Sequence, residues 1–270
     1  MTFQSERGTN NVNASRVTDP EDFDYGFSVE DERFDRMYPP EIRELSDRHW
    51  TPVAVARRAA EFLVAAPDTR VLDLGCGPGK FCIVGALTTA GHFTGVEQRP
   101  QLANLAREAI HRGKITNAEI VHANVTEIDF LAYDAFYLFN PFEENLFTLG
   151  KIDESVELSK ALYEQYTRHV ATELARVPLG TRVVTYAGLC EEVPACYECR
   201  EYTFGGELKL WEKTRELTQE DASLDRRANR NRWHFLFDFV SQARGGGASR
   251  SRRRRRLVSG VAALTASRCA

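Results

Sequence analysis

The sequence predicts a doubly wound α/β fold, with a mostly parallel seven-stranded sheet that ends in a C-terminal antiparallel hairpin. Three observations predict it. The run Arg70 to Lys80, RVLDLGCGPGK, is a short apolar strand followed by alternating glycines and the start of a helical pattern. Downstream, strand-like and helix-like apolar patterns alternate as far as Tyr186, which implies parallel strands joined by crossover helices. Two aromatic-rich runs, Tyr197 to Phe204 and Glu207 to Thr214, then flank Gly205-Gly206 as a hairpin.

In chain order, residues 1–22 are polar, Asn-rich and aperiodic, which predicts a flexible arm. Residues 23–50 mix acids with Phe23, Tyr25, Phe27, Phe34, Tyr38 and Trp50, which predicts a cap that docks on the domain and closes over its ligands. The domain itself is expected over residues 51–218. Thr51 and Pro52 read as N-cap and first residue of a helix whose apolar face runs from Val53 to Val64. Val71 to Leu74 is the first strand, and Phe81, Ile83, Val84, Ala86 and Leu87 carry the helix after the glycines. His92 to Glu97 is the second strand, and Pro100 opens a helix to about His111 that buries Leu102, Leu105, Ala106, Ala109 and Ile110. Ala118 to Ala123 and Asp134 to Phe139 are strands three and four. A long helix is expected from about Glu154 to Arg176, then a turn at Pro178 to Thr181 and strand five from Arg182 to Tyr186.

Composition bounds the function. No stretch of the 270 residues approaches the 18 or so apolar residues of a membrane span, and the first residues lack the apolar core of a signal peptide. Six dispersed cysteines do not form a disulfide framework, so the expectation is a reduced, cytoplasmic protein without membrane partners. Charge is divided: residues 1–225 carry 23 Lys and Arg against 38 Asp and Glu, whereas residues 226–270 carry twelve Arg and one acid. Residues 219–270 therefore read as a basic, disordered tail. Its Arg252 to Arg256 run has the charge to touch nucleic acid, by a contact too generic to name a substrate.

The glycine run selects the ligand. A phosphate-binding P-loop needs Gly where Leu74 stands and Ser or Thr where Phe81 stands, so that reading fails. A dinucleotide fingerprint needs a third Gly where Lys80 stands. What remains is Asp-x-Gly-x-Gly-x-Gly closing a strand, with Glu97 placed about twenty residues on to accept the hydroxyls of an adenosine ribose. NAD shares that ribose, so Glu97 alone leaves both ligands open. The whole pattern resembles motif I of the class I S-adenosylmethionine (SAM)-dependent methyltransferases, from about Asp47 to Thr214. That resemblance implies SAM as cofactor, a Rossmann-like methyltransferase fold, and Asp73, Gly75, Cys76, Gly77, Gly79, Glu97 and Gln98 as its binding residues. Asn124 and Val125, past strand three, are expected at the adenine, Asn124 pairing with its exocyclic amine or else capping a turn, and Val125 packing on its ring.

Strand four delivers Asn140, Pro141 and Phe142, the candidate catalytic residues. The Asn carboxamide and a backbone carbonyl beside Pro can accept bonds from an amine and aim its lone pair at a methyl group, with Phe142 as a wall. The tripeptide looks like a shortened Asn-Pro-Pro-Tyr motif of base amino-methyltransferases. Together with the glycine loop, Gly95-Val96-Glu97 and the cap, it is also similar to the Asn-containing loop of Dot1-like methyltransferases. The expectation is methylation of an unidentified acceptor, foremost a nitrogen of a protein side chain or small amine, with nucleic acid behind. The rivals are a non-catalytic SAM- or adenosine-binding module and an NAD-dependent oxidoreductase. Glu143, Glu144 and His49 are further candidate bases. Cys196 and Cys199 have half a zinc-site spacing without the other half, so no metal is expected.

Overall fold

The computed structural model describes residues 28–146 and 151–221. The expected arm, the aromatics Phe23, Tyr25 and Phe27, and residues 222–270 of the expected tail lie outside that range. Seven strands form one sheet in the order β3-β2-β1-β4-β5-β7-β6. They are β1 (Arg70–Leu74), β2 (His92–Glu97), β3 (Ala118–His122), β4 (Ala135–Phe139), β5 (Arg182–Tyr186), β6 (Tyr197–Thr203) and β7 (Leu208–Lys213). Strands β1 to β5 are parallel, while β7 runs antiparallel to both β5 and β6. This is the expected doubly wound, Rossmann-like sheet with its terminal antiparallel hairpin.

Alternation along each strand divides the core. Val71 and Tyr137 point to one face, packed under α4 (Val53–Leu63), α5 (Lys80–Thr88) and α6 (Pro100–Arg112). Leu72, Leu74, Phe136 and Leu138 point to the other, under α7 (Lys160–Arg176). Burial on both faces explains why the central strands read as continuous apolar runs. The hairpin is bolted to α7 by Lys213, whose buried ammonium donates to the carbonyls of Ala175 and Val177 at 2.8 Å each.

Two boundaries differ from the sequence expectation. Thr51 does not cap α4: its hydroxyl pairs with the Tyr137 hydroxyl at 2.9 Å inside the core, and Pro52 holds the N-cap position. Helix α7 starts at Lys160, because Ser159 accepts from the Leu162 amide at 3.2 Å and so fixes the first turn there. The preceding Asp153 is held elsewhere, by Arg99.

Residues 28–50 form three short helices, α1 (Val29–Asp35), α2 (Pro40–Arg43) and α3 (Ser46–His49). A buried ion triad fixes them to the glycine-loop helix: Lys80 Nζ lies 2.8 Å from Asp31 and 3.0 Å from Asp35, with all three side chains 2 % exposed. Burial would raise the Asp31 carboxyl. The bonds from Lys80, Ser28 and the Val53 amide outweigh it and hold the group below its ordinary value. Tyr38 adds a hydrogen bond to the Pro78 carbonyl at 2.9 Å. Lys80, where a dinucleotide loop would carry its third glycine, thus serves as the anchor of this segment.

Candidate functional site

In open α/β sheets, ligands bind beyond the carboxyl ends of the strands where the strand order reverses. Here that point lies between β1 and β4, and a cavity of about 230 Å³ opens there. Its wall takes Gly75 and Gly77 from the loop after β1, Glu97, Gln98 and Arg99 from the end of β2, and Asn124 and Val125 from beyond β3. Asn140, Pro141 and Phe142 close it from β4, and Arg48, His49 and Trp50 line it from the 28–50 segment.

Gly77 shows why the loop needs glycine. Its φ is +55°, and a Cβ built on it would lie 2.6 Å from the Trp50 ring. The Gly77 amide donates to Glu97 Oε2 at 3.0 Å, and the Arg99 amide donates to Oε1 at 2.8 Å. Burial pushes the Glu97 carboxyl up from its usual range, against the pull of the Arg99 and Gly77 amides and the Arg99 charge. Glu97 lines the cavity with a carboxylate, an acceptor that suits a diol.

Three residues expected to bind lie off the cavity wall. Asp73 is 3 % exposed beneath the loop, and its carboxyl takes a long bond from the Cys82 thiol at 3.5 Å. Burial pushes it up to about 8, with a smaller push from the Glu97 charge. Cys76 fills the space over Gly95, where an added Cβ would sit 2.6 Å from its sulfur. Gly79 is the left-handed N-cap of α5, packed against Ala106. These residues shape the loop and do not reach into the cavity.

Asn124 lines the cavity, but its carboxamide is engaged. Oδ1 accepts from the amide and the hydroxyl of Thr126 at 3.1 and 2.9 Å, and Nδ2 donates to the Tyr166 hydroxyl at 2.9 Å. Both lone pairs of Oδ1 are occupied, so in this arrangement Asn124 caps a 3-10 turn and cannot accept from an exocyclic amine. Val125 stays in the wall and is buried.

The tip of β4 is built differently. Asn140 adopts φ +42°, a left-handed conformation that Asn tolerates better than most residues. Its side chain rests over Gly188, where a built Cβ would lie 1.9 Å from Asn140 Oδ1 and 3.1 Å from Glu143 Oε1. The Asn140 carboxamide has no hydrogen-bond partner among the described residues. Phe142 is buried, with its ring 5.4 Å from that of Tyr166.

Sequence reasoning missed Arg99, Ile152 and the role of Tyr166 in this wall. Arg99 is buried and joins the two halves of the rim: its guanidinium binds Glu144 at 2.8 Å and Asp153 at 3.1 Å. No local pattern marks those partners, which lie 45 and 54 residues away. Tyr166 carries a signal in the sequence, because its spacing with Tyr163, Val170 and Leu174 puts it on the inward face of α7.

Residues 65–164 match the family model described as a methyltransferase domain. A stretch of 73 residues, 27% of this chain, is 41% identical to the 23S rRNA (uracil(1939)-C(5))-methyltransferase RlmD of Klebsiella pneumoniae, and 70 residues are 40% identical to the protein of that name from Salmonella choleraesuis. The chain spans about a sixth of the length of these curated relatives, 17% and 16%. Among solved structures, TrmN from Thermus thermophilus is similar at 20% identity, covering 66% of this chain and 52% of its own, with a TM-score of 0.48. An RNA methyltransferase from Salinibacter ruber in complex with S-adenosyl-L-homocysteine is similar at 20% identity, 63% and 96% coverage and a TM-score of 0.44.

Proposed function

From the match of residues 65–164 to a methyltransferase-domain model, we propose that the chain is a class I SAM-dependent methyltransferase that transfers the methyl group of SAM to a nitrogen atom of a protein side chain or small amine. The observation that carries the acceptor class is Asn140, a carboxamide without a hydrogen-bond partner among the described residues, held at the tip of β4 on the wall of the cavity. SAM brings an electrophilic methyl group on a sulfonium. Glu97 would accept the ribose hydroxyls, the loop at Gly75 and Gly77 would lie against the ligand backbone, and Val125 would pack on the adenine. Asn140 Oδ1 and the Pro141 carbonyl would accept from the acceptor's N–H groups and aim its lone pair at the methyl carbon. Trp50, Phe142 and Tyr166 would exclude water from the transfer. The likeness of the Asn-containing loop to Dot1-like enzymes favours the same acceptor class.

The test is calorimetry with SAM against NAD, followed by transfer of labelled methyl from SAM. Asn140→Ala is expected to lower turnover by roughly 10- to 100-fold, the loss of a positioning bond made at the reacting centre, with SAM affinity nearly unchanged. Wild-type turnover in that variant would return Asn140 to a turn residue. Binding of NAD in place of SAM would remove the reading altogether.

One other acceptor has an observation in its favour. The curated relatives are named for 23S rRNA, and residues 226–270 are arginine-rich. RNA ranks second because the matched stretch is 17% of that relative's length and carries no acceptor assignment to this chain.

A further inference from the structure

Behind the wall formed by Asn140 lies a second, much smaller chamber of about 10 Å³, roughly the size that holds one water-sized group. It shares Asn140, Pro141 and Glu143 with the main cavity and is completed by Leu138, Tyr163, Thr185, Ala187, Leu189, Cys190 and Glu192. Two carboxylates therefore face a space that fits a single heavy atom and its hydrogens.

The second of these is the unusual one. Glu192 is 7 % exposed, yet among the described residues it has neither an ion-pair partner nor a hydrogen bond to another residue. Glu143 likewise has no cationic partner among them, and its Oε1 lies beside Asn140 Oδ1 over Gly188. Burial pushes Glu143 up to about 8, with Glu192, Glu207 and Glu191 adding to it, and pushes Glu192 up to about 7. Burying a carboxylate without a counter-charge is costly, and proteins rarely retain one without a use for it. A cation seated between the two would repay that cost.

We propose that this chamber seats the positively charged nitrogen of the acceptor, which makes the substrate a primary or secondary alkylammonium, with Glu192 as its counter-charge and Glu143 as the base that takes its proton. The inference rests on the methyltransferase reading above. An N–H bond of the ammonium breaks, and its proton forms an O–H bond on the Glu143 carboxylate. The freed lone pair forms the N–C bond to the methyl group as the C–S bond breaks. The sulfur keeps that electron pair as a neutral thioether, and the nitrogen becomes a methylated ammonium. Neutral acceptors, including nucleobase nitrogens and phenols, would leave Glu192 unpaired and bind poorly.

The experiment offers the full chain labelled SAM with three probes in parallel: poly-L-lysine, spermidine and total bacterial RNA. Calorimetry with SAM runs alongside. Label in poly-L-lysine or spermidine is expected, with the apparent KM for the amine raised at least tenfold in Glu192→Gln and kcat lowered at least tenfold in Glu143→Gln. SAM affinity should stay within twofold in both. Label in RNA alone, label in none of the three, or an unchanged amine KM in Glu192→Gln overturns the inference while SAM binding leaves the methyltransferase reading standing. Failure to bind SAM removes both. Circular dichroism and melting temperature of each isosteric variant distinguish a lost contact from a lost fold.

Discussion

The two ends of the cavity are made by opposite means. At the β1–β2 end, the left-handed positions are glycines (Gly75, Gly77 and Gly79), and the carboxylate on the cavity wall, Glu97, is met by two backbone amides. At the β4–β5 end, left-handed backbone falls on Asn140, Ala187 and Cys190 as well as on Gly188. The polar side chains there, Asn140, Glu143 and Glu192, lack described partners of opposite charge. The wall of the first end is relaxed and its carboxylate is met by donors, while Asp73 lies beneath the loop and off that wall. The second carries backbone strain of order 1–3 kcal/mol per non-glycine position and unanswered charge, which is where proteins place selectivity.

The same division governs what could be read from the sequence. The glycine loop and Glu97 were legible because their geometry is local: a short strand, a tight turn and an acid at a fixed interval. The sheet was legible from the alternation of patterns, down to the terminal hairpin. The β4–β5 end was legible only at Asn140, Pro141 and Phe142. Its other components come from residues 187–192, brought in by the pairing of β4 with β5, and no spacing rule announces that Gly188 clears room for Asn140. The Lys80 triad was hidden for the same reason, since Asp31 and Asp35 are distant in sequence. Thr51 and Asn124 misled in opposite ways. The Thr51 hydroxyl left its local cap for Tyr137, a partner that only tertiary structure supplies, whereas Asn124 kept its local cap at Thr126 and so was not free for a ligand.

The largest expected effect tests whether the 28–50 segment belongs energetically to the relaxed end. Lys80→Met leaves Asp31 and Asp35 buried without their cation, which costs about 3–5 kcal/mol, a large part of a typical domain's 5–15 kcal/mol. Chemical denaturation should show that loss, and SAM affinity should fall with it as Trp50 moves off Gly77. The triple variant Lys80→Met, Asp31→Asn, Asp35→Asn should recover most of the stability, because replacing a whole buried ion group is far milder than breaking it. A single variant as stable as the wild type would show that the segment is only draped over the loop.

Next in size is the ribose contact. Glu97→Ala removes charged hydrogen bonds worth about 1.5–3 kcal/mol, or roughly a 10- to 150-fold rise in the Kd for SAM by calorimetry. The amine KM should not change, since Glu97 sits at the far end from the chamber. A variant that binds SAM normally would sink the assignment of this end. One that altered both constants would mean that the two ends are coupled through Arg99, which links the β2 tip to Glu144 and Asp153.

The smallest effect is a pH dependence that separates the ends directly. Asp73, Glu143 and Glu192 all have carboxyls raised by burial, to about 8, 8 and 7, from ordinary values near 4. For a raised acid the folded state binds more protons than the unfolded one between those two values, so stability must fall as pH rises through that window. The melting temperature should therefore decline from about pH 5 to pH 8. Asp73→Asn should flatten part of that slope whatever ligand is present. Glu192→Gln should flatten another part, and a saturating cationic amine should do the same in the wild type but less in Glu192→Gln, where Glu143 is the acid left in the chamber for the amine to answer. An amine that flattened the slope equally in both would place its binding away from Glu192, and the contrast between a satisfied end and an expectant one would be lost.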